Sequence, residues 1–195
     1  MTAPPLAHAA ACATLREYAP ADAHQRALRD DFLRTLGARG DALARSCLPD
    51  HLTASAIVLA SDGRHALLHL HGKVKRWLQF GGHIESDDVD LAAAALRESV
   101  EESGVTDQRL WSMSPIRLDR HAAPCAPGEA RNHLDVQFLA VTHSQVQPRV
   151  SSESHDVRWF DVDDLPSSTD ESVRALVRDA VAALVSAAPP SATRR

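Results

Sequence analysis

The sequence predicts an α/β protein in which a mixed β-sheet lies between helices, preceded by a helical N-terminal extension. Three observations predict it. Short apolar or alternating runs at 52–60, 65–71 and 133–142 read as strands, and longer runs at 90–104 and 173–184 carry helical periodicity. Strands and helices mix without the strict alternation that a doubly wound parallel sheet requires. The 195 residues, 44% hydrophobic and 24% charged, are enough for one domain with a substantial core.

Taken in order, residues 1–20 are rich in alanine and proline without a clear period and read as a flexible N-terminus. Asp22 can cap a helix whose apolar positions Leu28, Phe32 and Leu36 recur every fourth residue, with Gly37 as its stop. A shorter helical piece follows Asp41 and ends before Pro49, so 21–48 reads as a helical extension. Residues 52–60 form a strand, Ser61-Asp62-Gly63 a turn, and 65–71 the return strand. A double glycine at Gly81-Gly82 leads into a helix that has an Asp near its start and Gly104 just past its end. Strands follow at 109–118 and 133–142. In the second, Leu134, Val136, Phe138 and Ala140 alternate with the more polar His133, Asp135 and Gln137. A short strand over 156–162 and an amphipathic helix on Val173, Leu176, Val177, Ala180 and Leu184 complete a domain spanning 49–187, and 188–195 is a flexible tail.

Composition excludes several functions. With 26 acidic against 21 basic residues, the net charge of -5 gives no electrostatic basis for binding nucleic acid or an anionic membrane. Aromatics at 4% are too few for a base-stacking surface. Cys12, Cys47 and Cys125 are too scattered for a disulfide framework or a zinc site and read as free thiols of a cytoplasmic protein. There is no signal peptide pattern and no run of ~18 apolar residues.

The charge is concentrated instead. Glu98, Glu101 and Glu102 stand at i, i+3 and i+4, on one face of the predicted helix, where like charges repel. Arg97 reaches Glu101 four residues on, but one arginine does not neutralise three glutamates. An oxygen-seeking dication does. Glycines, an arginine and three glutamates at such fixed offsets arise by chance in about one chain in 10⁵.

Residues 82–105 resemble the Nudix box, through Gly82, Arg97, Glu98, Glu101, Glu102, Gly104 and Val105. Asp88 stands at the upstream glutamate, the spacer to Arg97 is one residue longer than usual, Ser99 replaces an apolar residue, and Phe80 stands where many members have proline. A weaker resemblance extends over about 50–185, through the strand–turn–strand lead-in, Trp77, and the closing Val157-Arg158-Trp159-Phe160 with Asp164-Leu165-Pro166. It implies a Nudix-type α/β/α sandwich and a metal-dependent pyrophosphohydrolase that cleaves a nucleoside diphosphate linked to another moiety. Glu98 and Glu102 are then the primary Mg²⁺ or Mn²⁺ ligands, and Glu101 shares a metal or accepts a proton from water. Arg97 orients the glutamates, and the Gly81-Gly82 turn brings a backbone carbonyl to the metal. Glu153 is the candidate auxiliary carboxylate from a later loop; Glu85 and Asp88 are weaker candidates that also suit the positive end of a helix.

Trp77 and Phe80 are candidates to stack on a base, and His83 and His133, with His69 and His71, to meet the substrate. Two alternatives stand beside the hydrolase: a non-catalytic Nudix-like nucleotide-binding regulator, and an isopentenyl-diphosphate isomerase-like enzyme. The absence of cysteine between His51 and Gly82 argues against the isomerase. Around His121 there is neither the proline of ADP-ribose-preferring members nor the tyrosine of those acting on dinucleoside polyphosphates, and no coenzyme A signature precedes the box. The substrate is therefore a small nucleoside diphosphate derivative of unspecified identity. Dimeric relatives leave room for a homodimer.

Overall fold

A computed structural model of the chain describes residues 5–122, 132–143, 146–151 and 154–186. Cys125, Glu153 and the closing tail 188–195 lie outside the described residues. The first helix, α1 (Pro5–Glu17), replaces the loose N-terminus expected for 1–20. Ala7, Ala11, Leu15 and Tyr18 are buried, a narrow stripe of small side chains that lets it pack closely. Helix α2 (Ala23–Ala38) starts where expected, with the Asp22 carboxylate accepting from the Gln25 N–H at 2.8 Å. It runs through Gly37 rather than stopping there, and Arg39 is its C-cap. Residues 40–46 are turns and a bend instead of the expected short helix, though Ala42 and Leu43 are buried.

Strand β1 (Asp50–Ala60) is central. It runs parallel to β7 (Asn132–Thr142) through eleven consecutive pairs, from Asp50↔Asn132 to Ala60↔Thr142. Strand β2 (His65–His71) returns antiparallel, but pairs with β1 only at Val58↔Leu67 and Leu59↔Ala66. Beyond that point the two strands diverge. The gap is filled by β3 (Trp77–Leu78) on β2 and β4 (Phe80–His83) on β1, which carries Gly81-Gly82 into the middle of the sheet. After helix α3 (Leu91–Ser103), the segment expected as one strand over 109–118 divides into β5 (Arg109–Leu110) and β6 (Arg117–Ala122), both antiparallel to β7. Strand β8 (Ser154–Asp161) pairs with β2, and α4 (Glu171–Ser186) ends the described chain.

The pleat sorts the side chains into two layers. Even-numbered residues of β1 and β7, among them Leu52, Ala54, Val58, Leu134, Val136 and Phe138, pack with buried residues of α1, α2 and α3. Odd-numbered Ile57, Leu59, Leu139 and Val141 pack under Val173, Leu176, Val177 and Ala180 of α4. The result is the expected mixed sheet between helices. The N-terminal helices complete one layer. Buried Gln25 of α2 lies against the open side of β6, where its Oε1 accepts from the Leu118 N–H at 2.8 Å and its Nε2 donates to the Leu118 carbonyl at 2.9 Å. Tyr18 donates to the same Oε1 at 2.8 Å.

Candidate active site

Helix α3 is defined at both ends. Asp90 accepts from the Ala93 N–H at 2.7 Å, and Gly104 ends it at φ +66°, the left-handed conformation that favours glycine. Leu91, Ala92, Ala94, Ala95 and Ser99 face the core, which turns Glu98 and Glu102 toward β4. The three glutamates do not share one environment. The side chains of Glu98 and Glu102 are 17% and 8% exposed, whereas Glu101 is 59% exposed. Ser99, an unusual polar residue on the core side, donates to Gln108 Oε1 at 2.6 Å, so its buried hydroxyl is satisfied.

Glu98 and Glu102, the two less exposed glutamates, both meet the double glycine. Glu102 Oε2 accepts from the Gly81 N–H at 2.9 Å. A Cβ on Gly82 would stand 2.6 Å from Glu98 Oε1, and one on Gly81 would stand 2.3 Å from Ser55 Cβ. Only residues without a side chain let β4 pass this close to both neighbours.

Arg97 organises the rest. Its Nε and Nη2 donate to the two oxygens of Asp88 at 3.0 and 2.8 Å, and Nη1 donates to Glu98 at 3.0 Å and Glu101 at 3.3 Å. The remaining Nη2 hydrogen goes to the His83 carbonyl at 3.0 Å. All five guanidinium N–H groups are used within the protein. The Asp88 hydrogen bonds, aided by the Glu98 charge, raise its pKa above the ordinary arginine range. Asp88, buried and also accepting from the Glu85 N–H at 2.8 Å, is the arginine's clamp. Glu85 lies 4.0 Å from Nη1, at the margin of the network.

The donor set suits a hard dication. Glu98, Glu101 and Glu102 could supply carboxylate oxygens, the Gly82 backbone passes close against the Glu98 carboxylate, and Arg97 with its single charge leaves an excess of negative charge.

A Nudix-domain profile matches residues 49–180. The chain belongs to the Nudix family. Solved structures agree with the fold. A Nudix-family hydrolase from Clostridium perfringens is 25% identical with a TM-score of 0.55, over 69% of this chain and 97% of that one. An Ap4A hydrolase of C. elegans aligns at 18% identity and TM-score 0.58, over 69% and 98%. The Nudix domain of Shewanella oneidensis NrtR, solved with ADP ribose, aligns at 19% and 0.55, over 72% and 92%. No curated protein matches in sequence. This chain is a Nudix hydrolase.

Around the Nudix helix the other candidates separate. Phe80 is fully buried, 5.2 Å from the His69 ring, and is a core residue rather than a surface for stacking a base. Trp77 is half-buried, edge-on to Phe160 at 4.7 Å. His69 is buried, with Nδ1 2.7 Å from Ser154 Oγ and 3.7 Å from Glu102 Oε1. Burial, with the nearby His71, pulls its pKa down to about 4, so it is neutral at pH 7. His83 and His133 are half-buried, and burial together with neighbouring histidines takes them down to about 4 and about 3.

One buried group escapes sequence reasoning. Asp135, 2% exposed, accepts from Thr53 Oγ1 at 3.0 Å, Ser55 Oγ at 2.6 Å and Gln137 Nε2 at 3.0 Å. Alternation alone assigns Asp135 and Gln137 to a solvent-facing side. The available signal was that 53 and 55, like 135 and 137, are polar at alternate positions of strands whose other side is apolar. No helix among the described residues is long and apolar enough to cross a membrane.

Proposed function

We propose that this Nudix hydrolase is a divalent-metal-dependent pyrophosphohydrolase that cleaves a nucleoside diphosphate linked to another moiety, with water attacking a diphosphate phosphorus. One observation carries the reading: a set of oxygen donors gathered on Gly81-Gly82 beside an arginine with no N–H left for substrate. Glu98 and Glu102 would hold Mg²⁺ or Mn²⁺, with Glu101, the Gly82 carbonyl and Glu153 as further ligands. Such an ion lowers the pKa of a bound water and neutralises phosphate oxygens. The Gly81 N–H fixes the orientation of Glu102. Arg97 holds Glu98 and Glu101 in place while Asp88 holds Arg97. Glu101, the most exposed of the three, would accept a proton from water. His83, His133 and Trp77 are the side chains left to contact substrate. The net charge of -5 supports a small-molecule substrate over a nucleic acid or membrane. ADP ribose, the ligand of the Shewanella structure, is of the proposed substrate class.

The test is a panel of nucleotide sugars, dinucleotides and nucleoside triphosphates with Mg²⁺ and Mn²⁺, run on native protein and Glu102→Gln. Glu102→Gln should lower kcat at least ~100-fold on any substrate found. Activity indifferent to the substitution or to chelation overturns the metal assignment. Tight nucleotide binding without turnover of any panel member would favour the regulator instead.

A further inference from the structure

The face of the sheet that carries Asp135 also carries histidines from four strands. His121 of β6 pairs with His133 of β7, which pairs with His51 of β1, and His83 of β4 lies opposite Thr53, two residues along β1 from His51. Three of them close into a triangle: ring centroids are 5.1 Å apart for His51–His83, 5.1 Å for His51–His133 and 5.2 Å for His83–His133. We propose that His51, His83 and His133 form a second metal site, a tris-imidazole centre for a borderline transition-metal dication such as Zn²⁺, separate from the carboxylates of the Nudix helix. The inference rests on these side chains alone and does not depend on the hydrolase reading.

Geometry favours it. One ligating nitrogen from each histidine lies within 4.8 Å of the others. Nε2 of His51 and Nε2 of His83 are 3.2 Å apart. Two imidazole nitrogens bound tetrahedrally to zinc at ~2.0–2.1 Å stand roughly 3.3–3.4 Å apart, so this pair already has about the spacing required. His51 is oriented from behind, with Nδ1 3.2 Å from the Cys47 carbonyl. A proton donated there leaves the lone pair on Nε2, toward His83, and metal-binding histidines are commonly held in this way by a backbone carbonyl.

Chemistry separates the two sites. Imidazole nitrogens select Zn²⁺ and its neighbours in the transition series, whereas carboxylate and carbonyl oxygens suit Mg²⁺ and Mn²⁺. Three protein ligands leave a fourth position for water or a substrate atom. The sites are also linked mechanically. His83 directly follows Gly82, and its carbonyl takes a hydrogen bond from Arg97, so one strand carries groups of both centres. Asp135 follows His133 by two residues on the same strand face, while the Arg45 cation near His83 and His133 opposes the binding of a dication.

The experiment uses the full chain, stripped of metal and titrated with Zn²⁺ by calorimetry, and with Co²⁺ by visible absorption, in excess Mg²⁺. The expected result is one equivalent bound, a tetrahedral Co²⁺ spectrum, at least ~10-fold weaker binding in His83→Gln and in His133→Gln, and no change in Glu102→Gln. Histidine ring signals followed by NMR in the native chain provide a readout without substitution: Zn²⁺ should shift three imidazoles. No stoichiometric Zn²⁺ binding under Mg²⁺, or binding lost in Glu102→Gln and kept in both histidine variants, overturns the proposal. So does a titration that shifts no imidazole.

Discussion

The two ends of the β1–β7 pair share one register and one face, yet they are built from opposite materials. Toward the C-terminal ends, Ile57, Leu59, Leu139 and Val141 are sealed beneath α4. Toward the N-terminal ends, the same face carries His51, Thr53, Ser55, His133, Asp135 and Gln137, of which only His133 is more than slightly exposed. Burial is thus achieved in two ways. The apolar end holds by dispersion and exclusion of water. The polar end holds through the three hydrogen bonds that Asp135 accepts, since a buried carboxylate without partners is strongly disfavoured, and the buried Gln137 Oε1 beside it is left without a partner. The first end is a foundation, and the second is a pre-arranged polar surface beside the Nudix glycines.

The largest effect should come from breaking the apolar end. Leu176→Ala removes a fully buried side chain beneath α4 and should cost about 3 kcal/mol in urea unfolding. Activity of the folded fraction should be unchanged, because α4 contributes nothing to the carboxylate site. At the polar end, Asp135→Asn keeps the shape but turns an acceptor-only group into one that presents N–H to the Thr53 and Ser55 hydroxyls, at a cost of ~2 kcal/mol by the same measurement.

Acid should act on the buried histidines. His69, His83 and His133 have folded pKa values of about 4, about 4 and about 3, against ~6.5 when unfolded. The unfolded chain therefore binds protons more readily between those values, and stability should fall as pH drops from 7 toward 4. His69 alone sets a slope approaching ~1.4 kcal/mol per pH unit. His121, raised against the pull of burial by its Asp119 hydrogen bond and by Asp135, contributes stability that is constant below pH ~6.5 and declines only above it, so it does not offset this loss. Denaturant midpoints measured at pH 7, 6 and 5 check the sign, and a flat profile would show that the histidines are not buried as neutral groups.

The sequence made local chemistry readable and long-range chemistry much less so. Glu98, Glu101 and Glu102 are legible because helical spacing alone places them together, and Asp90 and Gly104 are legible because caps are local. What spacing could not reveal was the inequality among the glutamates, which depends on how closely β4 passes α3. Helix α1 was hidden because alanines lie on both its buried and its open sides, so Ala7 and Ala11 give no contrast. The histidine triangle and the Asp135 cluster were hidden for another reason: their members come from positions 51, 83 and 133, and from 53, 55, 135 and 137, joined only by sheet register.

The Gln25 amide has a consequence for assembly. An exposed strand edge is a template for the next chain, and proteins cover such edges to avoid fibrous aggregation. By offering one acceptor and one donor to Leu118, Gln25 presents to β6 what another strand would present, from a helix that cannot propagate the ladder. A homodimer made by continuing the sheet past Leu118 would first have to displace this side chain. Self-association of the native chain is therefore directed to surfaces other than this one.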